Sequence, residues 1–167
     1  MKNWDSDIFI LDSSAFYAGF YRSINLKFYT TTSIMKEIKH ILNTSLTLDL
    51  LISSGVLVVE DPLIESINKI INTAHQSGDI KKLSKADISV LSLAYQMDKT
   101  LVSDDYSIQN VAKFLRIKTI SLGNEGIVKL RKWENFCKTC RKQYPSNIKE
   151  CTICGNPTKR KYKTLSS

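Results

Sequence analysis

The sequence predicts an α/β fold: a mostly parallel sheet flanked by helices, followed by a small zinc ribbon. Two observations carry this. Short apolar runs alternate with helix-period segments through the first three quarters of the chain, the pattern of a parallel sheet covered on both faces. The last quarter then holds the chain's only four cysteines, as the pairs Cys137-Lys-Thr-Cys140 and Cys151-Thr-Ile-Cys154, with ten residues between the pairs. Each C-x-x-C offers two thiolates from a tight turn, so two pairs fit one tetrahedral zinc site. Gly155 follows the second pair, where a sharp knuckle favours a residue without a Cβ. A segment of about 30 residues cannot bury enough apolar surface alone, and a structural metal replaces the missing core. Redox pairs of the thioredoxin kind come singly and near the front of a βαβ unit, unlike these.

The elements follow in order. Ile8–Leu11 is an apolar run that stops at Asp12, a buried strand. Residues 27–31 are β-prone and lead into Thr31, Thr32 and Ser33, any of which can cap a helix. That helix carries Ile34, Ile38, Ile41 and Leu42 on one face, with Lys36 and Lys39 opposite. Residues 46–52 form a helical piece stopped by Gly55, and Val56–Val59 a second buried strand. Asp61 and Pro62 read as a cap and a first-turn proline. Leu63, Ile67, Ile70, Ile71 and Ala74 form the stripe of the next helix, which Gly78 ends. Ser84 opens a helix to about Met97, with Lys85, Ser89, Ser92 and Gln96 on its polar side and Val90, Leu91, Ala94 and Met97 opposite. Residues 101–103 are a strand stopping at Asp104. Ile108, Val111, Ala112 and Leu115 mark another helix, and residues 118–121 a last strand.

Charge divides the chain in two. Residues 129–167 hold 11 of the 24 Lys and Arg and two acids, a net of +9. Four thiolates and one zinc reduce this to +7, while the body is nearly neutral. Residues 1–128 are therefore expected to form one domain and residues 132–163 the ribbon with its basic tail. Such a basic element implies a polyanionic partner, RNA in particular, because Trp133, Phe136, Tyr144 and Tyr162 can stack on unpaired bases. Lys132, Trp133, Arg141, Lys142, Lys159, Arg160 and Lys161 are the candidate RNA contacts. No stretch reaches the length of a membrane span. Asp5, Asp7 and Asp12 break any signal-peptide layout. With cysteines assigned to metal, these features place the chain in a reducing cytoplasm.

Carboxylates gather where strands end, which is where open α/β sheets place their crevice. Asp12 follows the first strand, and Asp104 and Asp105 follow the strand at 101–103. At 100° per residue, Asp87 falls inside the apolar stripe of its helix, and Glu37 sits at the edge of another. Inward carboxylates are costly unless paired, hydrogen-bonded or bound to metal. Each also has a plainer use: Asp87 three residues after Ser84 and Asp105 before Tyr106 can cap helices, Asp12 can start a turn, and Glu37 can be an edge residue. Together they suit magnesium or manganese, which activate water and stabilise a phosphodiester's leaving oxygen. There is no Ser-His-Asp order, no Gly-rich phosphate loop and no H-E-x-x-H. His40 and His75 read as structural.

Ile10-Leu-Asp-Ser-Ser14, Glu37, Lys82-Leu-Ser-Lys-Ala-Asp87 and Leu101-Val-Ser-Asp-Asp-Tyr-Ser-Ile-Gln-Asn110 resemble the four acidic motifs of PIN-domain nucleases. With Gly78-Asp79 and the four-cysteine ribbon, residues 7–160 resemble the archaeal Nin-one-binding family of ribosome-maturation endonucleases. The resemblance implies a metal-dependent endoribonuclease that trims the 3′ end of precursor small-subunit rRNA, with that rRNA and the small ribosomal subunit as partners. It implies metal-holding roles for Asp12, Glu37 and Asp87. A Ser/Thr-x-Asp pattern selects Asp105 as the fourth acid, with Ser103 as the hydroxyl and Asp104 adjacent. Ser103 stands where Thr is common, and the gap between cysteine pairs is short for a ribbon. A PIN-type toxin ribonuclease cutting another RNA, and an inactive RNA-binding scaffold, are the competing readings; the ribbon weighs against the first and the full set of acids against the second.

Overall fold

The computed structural model describes residues 8–23, 26–39, 45–123 and 130–165. Strand β1 (Ile8–Leu11) leads to a short helix α1 (Ser13–Tyr17) and a 3-10 turn at Phe20–Arg22, neither of which the periodicity announced. Then come β2 (Lys27–Thr30), α2 (Thr32–Lys39), α3 (Ser45–Ser53), β3 (Leu57–Val59), α4 (Ile64–Ser77), α5 (Lys85–Met97), β4 (Thr100–Val102), α6 (Tyr106–Phe114) and β5 (Thr119–Ile120). The five strands form one parallel sheet in the order β3-β2-β1-β4-β5. Phe9, Ile10 and Leu11 are successive and all buried, as a strand covered on both faces requires. Ile34 and Ile38 of α2, Ile70 and Ala74 of α4, Val90, Leu91 and Ala94 of α5, and Ile108, Val111 and Ala112 of α6 close the two layers over it. Truncating one of the larger of these to Ala costs about 2–5 kcal/mol.

Local signals placed most helix ends. Thr31 takes the cap of α2, its hydroxyl accepting the Ile34 N–H at 3.4 Å. Gly78 ends α4 at φ +78°, and a Cβ there would stand 2.5 Å from the Trp133 carbonyl oxygen. Both the left-handed backbone and the close approach demand glycine. Ile41, Leu42 and His40 lie outside the described residues.

Three expectations fail for tertiary reasons. Asp61 does not cap the helix after it, since α4 begins at Ile64 with Leu63 as its cap position. The Asp61 carboxylate instead accepts the Thr32 N–H at the start of α2, 2.9 Å away. Leu63, expected in the α4 stripe, is 61% exposed, and its N–H donates to Gln96 Oε1 at 2.8 Å. Ser92, expected on the polar side of α5, is fully buried, its hydroxyl satisfied by the Ile88 carbonyl at 2.6 Å.

The remaining strands, β6 (Leu130–Phe136), β7 (Gln143–Pro145) and β8 (Lys159–Leu165), make a separate antiparallel sheet in the order β7-β6-β8. β6 pairs with β8 along its whole length, from Leu130 opposite Leu165 to Phe136 opposite Lys159. This sheet starts and ends slightly beyond the 132–163 span expected for the ribbon. Its buried centre is Cys137, Tyr144 and Cys151, with Ile148 packed against them. So small a core cannot offset ordering costs of about 1–2 kcal/mol per residue, which is the physical case for a metal.

Candidate active site and cysteine cluster

The chain runs from β1 outward to β3 and returns to β4 on the other side of β1. This makes the β1–β4 boundary the switch point of the sheet, where a crevice opens beyond the strand ends. Asp12 sits there, 2% exposed, its backbone N–H bonded to the Val102 carbonyl at 3.2 Å. Its carboxylate accepts three hydroxyls: Ser103 Oγ at 2.8 Å, Ser14 Oγ at 3.1 Å and Ser13 Oγ at 3.4 Å. Burial pushes the Asp12 pKa up, the hydroxyls of Ser103 and Ser14 and the Ser13 backbone oppose this, and the Asp87 charge adds to it.

Ser103 ties β4 to this centre. Its hydroxyl donates to Asp12 and accepts the Asp105 N–H at 3.2 Å, while Ser14 accepts the Asp104 N–H at 3.0 Å. Ser13 and Ser14 were given no role from the sequence; their place directly after a strand-terminal acid was the available signal. Replacing Ser103 with Ala frees Asp12 to rotate, and we expect cleavage to slow about tenfold with little change in RNA affinity, read as kcat against KM.

Asp87 fills the capping role that its distance from Ser84 offers. It completes a capping box with Ser84, accepting the Ser84 N–H at 2.7 Å while Ser84 Oγ accepts the Asp87 N–H at 3.1 Å. It also stands in the electrostatic field of Asp12 and Glu37. Glu37 lies at the solvent rim on α2, its pKa raised by partial burial and then by the charges of Asp87 and Asp12. Like charges held together in this way favour a bound cation.

Asp104 and Asp105 are held differently. Asp105 caps α6, its Oδ1 accepting the N–H groups of Ser107 at 2.6 Å and Ile108 at 3.1 Å. Asp104 Oδ1 accepts Ser121 Oγ at 2.6 Å and the N–H groups of Leu122 at 2.8 Å and Gly123 at 3.1 Å. Burial works against the charge of Asp104, but Ser121 and the two backbone donors outweigh it and lower the pKa. Asp104 thus anchors the loop after β5, while Asp105 keeps its place beside Ser103.

The four cysteine sulfurs lie within 4.8 Å of one another, the one such group of metal-ligating atoms among the described residues. A tetrahedron with metal–sulfur bonds near 2.3 Å has edges of about 3.8 Å. Cys137 Sγ and Cys154 Sγ stand 3.6 Å apart, a thiolate-site spacing far beyond a disulfide bond. Cys137 Sγ accepts the Cys140 N–H, and Tyr144 Oη lies 3.1 Å from Cys151 Sγ. The Tyr144 hydroxyl draws the Cys151 pKa down to about 6, whereas the bond to Cys154 pushes Cys140 up to about 12. Four thiolates this close cannot ionise together without a cation, so the donor set fits a metal.

The basic residues of the ribbon separate into two groups. Arg141, Lys142, Lys159 and Lys161 are exposed, as is Lys132, which leans 3.8 Å from Glu134. Arg141 and Lys161 line a cavity of about 400 Å³ together with Phe136, Tyr162, Lys138 and Lys163. Arg160 and Trp133, expected to contact RNA, are occupied by the body. Arg160 Nη2 donates to the Gly78 carbonyl at 2.9 Å and reaches the buried Asp79 at 3.4 Å. Its guanidinium lies 4.1 Å from the Trp133 ring centroid, with Lys82 also over that ring at 5.1 Å. A buried carboxylate needs hydrogen bonds or a cation, and this one engages Arg160, whose side chain stays 31% exposed.

A family model described as the PIN domain of ribonuclease matches residues 9–97, which carry β1 to β3 and Asp12, Glu37 and Asp87. Across the ribbon as well, the chain is 38% identical over 154 residues to Endoribonuclease Nob1 of Pyrococcus abyssi, covering 90% of this chain and 91% of that protein. The chain belongs to the PIN-domain endoribonucleases of the Nob1 family. Endoribonuclease Nob1 of Methanocaldococcus jannaschii is 36% identical over 155 residues, 91% of this chain and 76% of that protein. Ribonuclease VapC1 of Thermoplasma acidophilum is 35% identical over 158 residues, 93% and 78% respectively. The family match covers the elements that carry Asp12, Glu37 and Asp87, and the Nob1 and VapC1 alignments alike reach into the cysteine ribbon.

Proposed function

We propose that this PIN-domain endoribonuclease matures the 3′ end of precursor small-subunit rRNA and works on the small ribosomal subunit in the cytoplasm. The observation that carries the chemistry is Asp12. It is a carboxylate buried at the switch point, oriented by three hydroxyls, with Asp87 and Glu37 adding charge around it. Asp12, Glu37 and Asp87 would hold magnesium or manganese; Asp105 is tied to them through its N–H on Ser103, its Oδ1 being held by the α6 cap. When bound, such an ion activates the attacking water and offsets charge on the leaving oxygen. Ser103 and Ser14 keep Asp12 aimed, and Asp104 holds the 121–123 loop at the crevice edge. Zinc in the ribbon is structural, holding the exposed Arg141, Lys142, Lys159 and Lys161 in one array.

The relatives named Endoribonuclease Nob1 support an endoribonuclease, and the resemblance of the acidic motifs and the ribbon to the ribosome-maturation family supports rRNA as its substrate. The VapC1 relative supports the competing reading, a ribonuclease for a different RNA. Incubating a precursor fragment that spans the 3′ junction, with and without chelator, separates them. One preferred metal-dependent cut at the junction is expected; cuts at many unrelated sites, even in an assembled subunit, would favour the other substrate.

The ribbon should contribute affinity more than chemistry. Replacing Arg141, Lys142 and Lys161 together with Gln removes three phosphate-neutralising charges. The slope of log affinity against log salt should fall by about 2 for single-stranded RNA. Cutting of an oligonucleotide too short to reach the ribbon should persist. An unchanged salt slope in a binding titration would remove these residues from the interface.

A further inference from the structure

The ribbon is joined to the body by more than the intervening chain. Asn110 of α6 holds the first residues of β6 by a two-way bond, its Nδ2 donating to the Arg131 carbonyl at 2.7 Å and its Oδ1 accepting the Arg131 N–H at 2.9 Å. The same Nδ2 lies 2.6 Å from Asp79 Oδ2, which also accepts Ser77 Oγ at 3.0 Å. From the ribbon's other long strand, Arg160 completes the set on Asp79 and the Gly78 carbonyl. Asp79 is 1% exposed and Asn110 2% exposed, so neither can exchange these partners for water without opening the junction. Gly78 against Trp133 removes the remaining clearance.

The junction is mechanically continuous with the acid crevice. α6 is capped by Asp105, beside Ser103, and Gln109 Nε2 donates to the Ser103 carbonyl at 2.7 Å. Asn110 lies five residues further on, about 7.5 Å along the same helix. On the second side, Asp79 precedes α5, whose first turn carries Asp87. Two of the helices that present site residues, α6 and α5, therefore also anchor the ribbon, directly through Asn110 or through the loop before the helix.

We propose that the Asp79–Asn110–Arg160 junction holds the ribbon at a fixed distance from Asp12 and so selects which phosphodiester of a bound RNA is cut. Asp79, Asn110 and Arg160 are positioning residues in this sense; none touches the reacting atoms. The proposal rests on the RNA-cutting role assigned above. RNA gripped by the ribbon's basic face has its register set against the crevice by this clamp, as a ruler sets a length. A ribbon on a loose tether would instead let the strand slide between neighbouring bonds.

The test uses the full chain and two variants. Arg160→Gln removes the cation and withdraws the Nη2 that reaches Gly78 and Asp79, leaving a shorter neutral amide. Gly78→Ala drives a Cβ against the Trp133 carbonyl and wedges the junction open without touching any charge. Backbone ¹⁵N relaxation should show one tumbling time for ribbon and body in the wild type, and a faster ribbon in both variants. With a long precursor fragment, both variants should spread the cut over several adjacent bonds and raise KM about tenfold, while kcat stays within about twofold. With an oligonucleotide too short to reach the ribbon, wild type and variants should be equal. Independent tumbling of the wild-type ribbon would overturn the proposal whatever the activity, as would a single unchanged cut site in variants whose ribbons have come loose. If the wild type cuts neither RNA, the assigned activity is at fault, and relaxation still decides whether the clamp exists.

Discussion

Asp12→Asn should abolish cleavage, by about a thousandfold or more, while leaving the fold and RNA binding intact. The loss corresponds to about 4 kcal/mol of barrier. Asn keeps the shape of the side chain and can still accept from Ser103 and Ser14, so the strand-end geometry survives. What disappears is the buried charge at the centre of the acid group, and with it the attraction for a divalent ion. Removing that charge also relieves Asp87 and Glu37 of a like-charged neighbour. In chelator, the variant should therefore be at least as stable as the wild type in a thermal melt. Single-turnover cleavage of a precursor fragment by folded Asp12→Asn at near wild-type rate would remove Asp12 from the mechanism.

Metal removal should unfold the ribbon and spare the body. One zinc per chain is expected, held by Cys137, Cys140, Cys151 and Cys154, and elemental analysis of protein purified without chelator checks the count. Four-thiolate zinc supplies roughly 10–16 kcal/mol of folding free energy, far more than a centre made of Cys137, Tyr144, Cys151 and Ile148 can. The body has its own core, running through the parallel sheet and α2, α4, α5 and α6. On chelation, amide signals of residues 130–165 should collapse to random-coil positions while those of the parallel sheet persist. The body should lose some stability, because Asp79 loses Arg160 and must be hydrated or protonated. Cys137→Ser should act in the same direction. A ribbon that stays folded without metal would mean its three strands hold themselves together.

Much of the fold was legible because its signals are local. Ile8–Leu11 reads as a buried strand since its residues are consecutive and apolar, and Asp12 marks its end. Ser84 and Asp87 are three residues apart, the reach of a capping box, so the start of α5 was readable to the residue. The cysteine pairs announce their site by spacing, since each C-x-x-C turn brings two sulfurs together before any tertiary contact forms. Helix α1 escaped notice because five residues give less than two turns of periodicity.

The sequence by itself determined where β1 ends, that Ser84 and Asp87 cap α5, and which sulfurs meet. Such choices are settled within one turn or one strand, where residue spacing is geometry. Only the tertiary structure decided partners far apart in the chain. Asp61 faces Thr32 across 29 residues and caps another helix than its own neighbour. Ser103 meets Asp12 across 91 residues because β4 lies beside β1. Arg160, read as a surface cation in a basic run, also reaches 81 residues back to the buried Asp79 carboxylate. In each case the need is written in the residue type, but the group that meets it is chosen by the packing of distant elements.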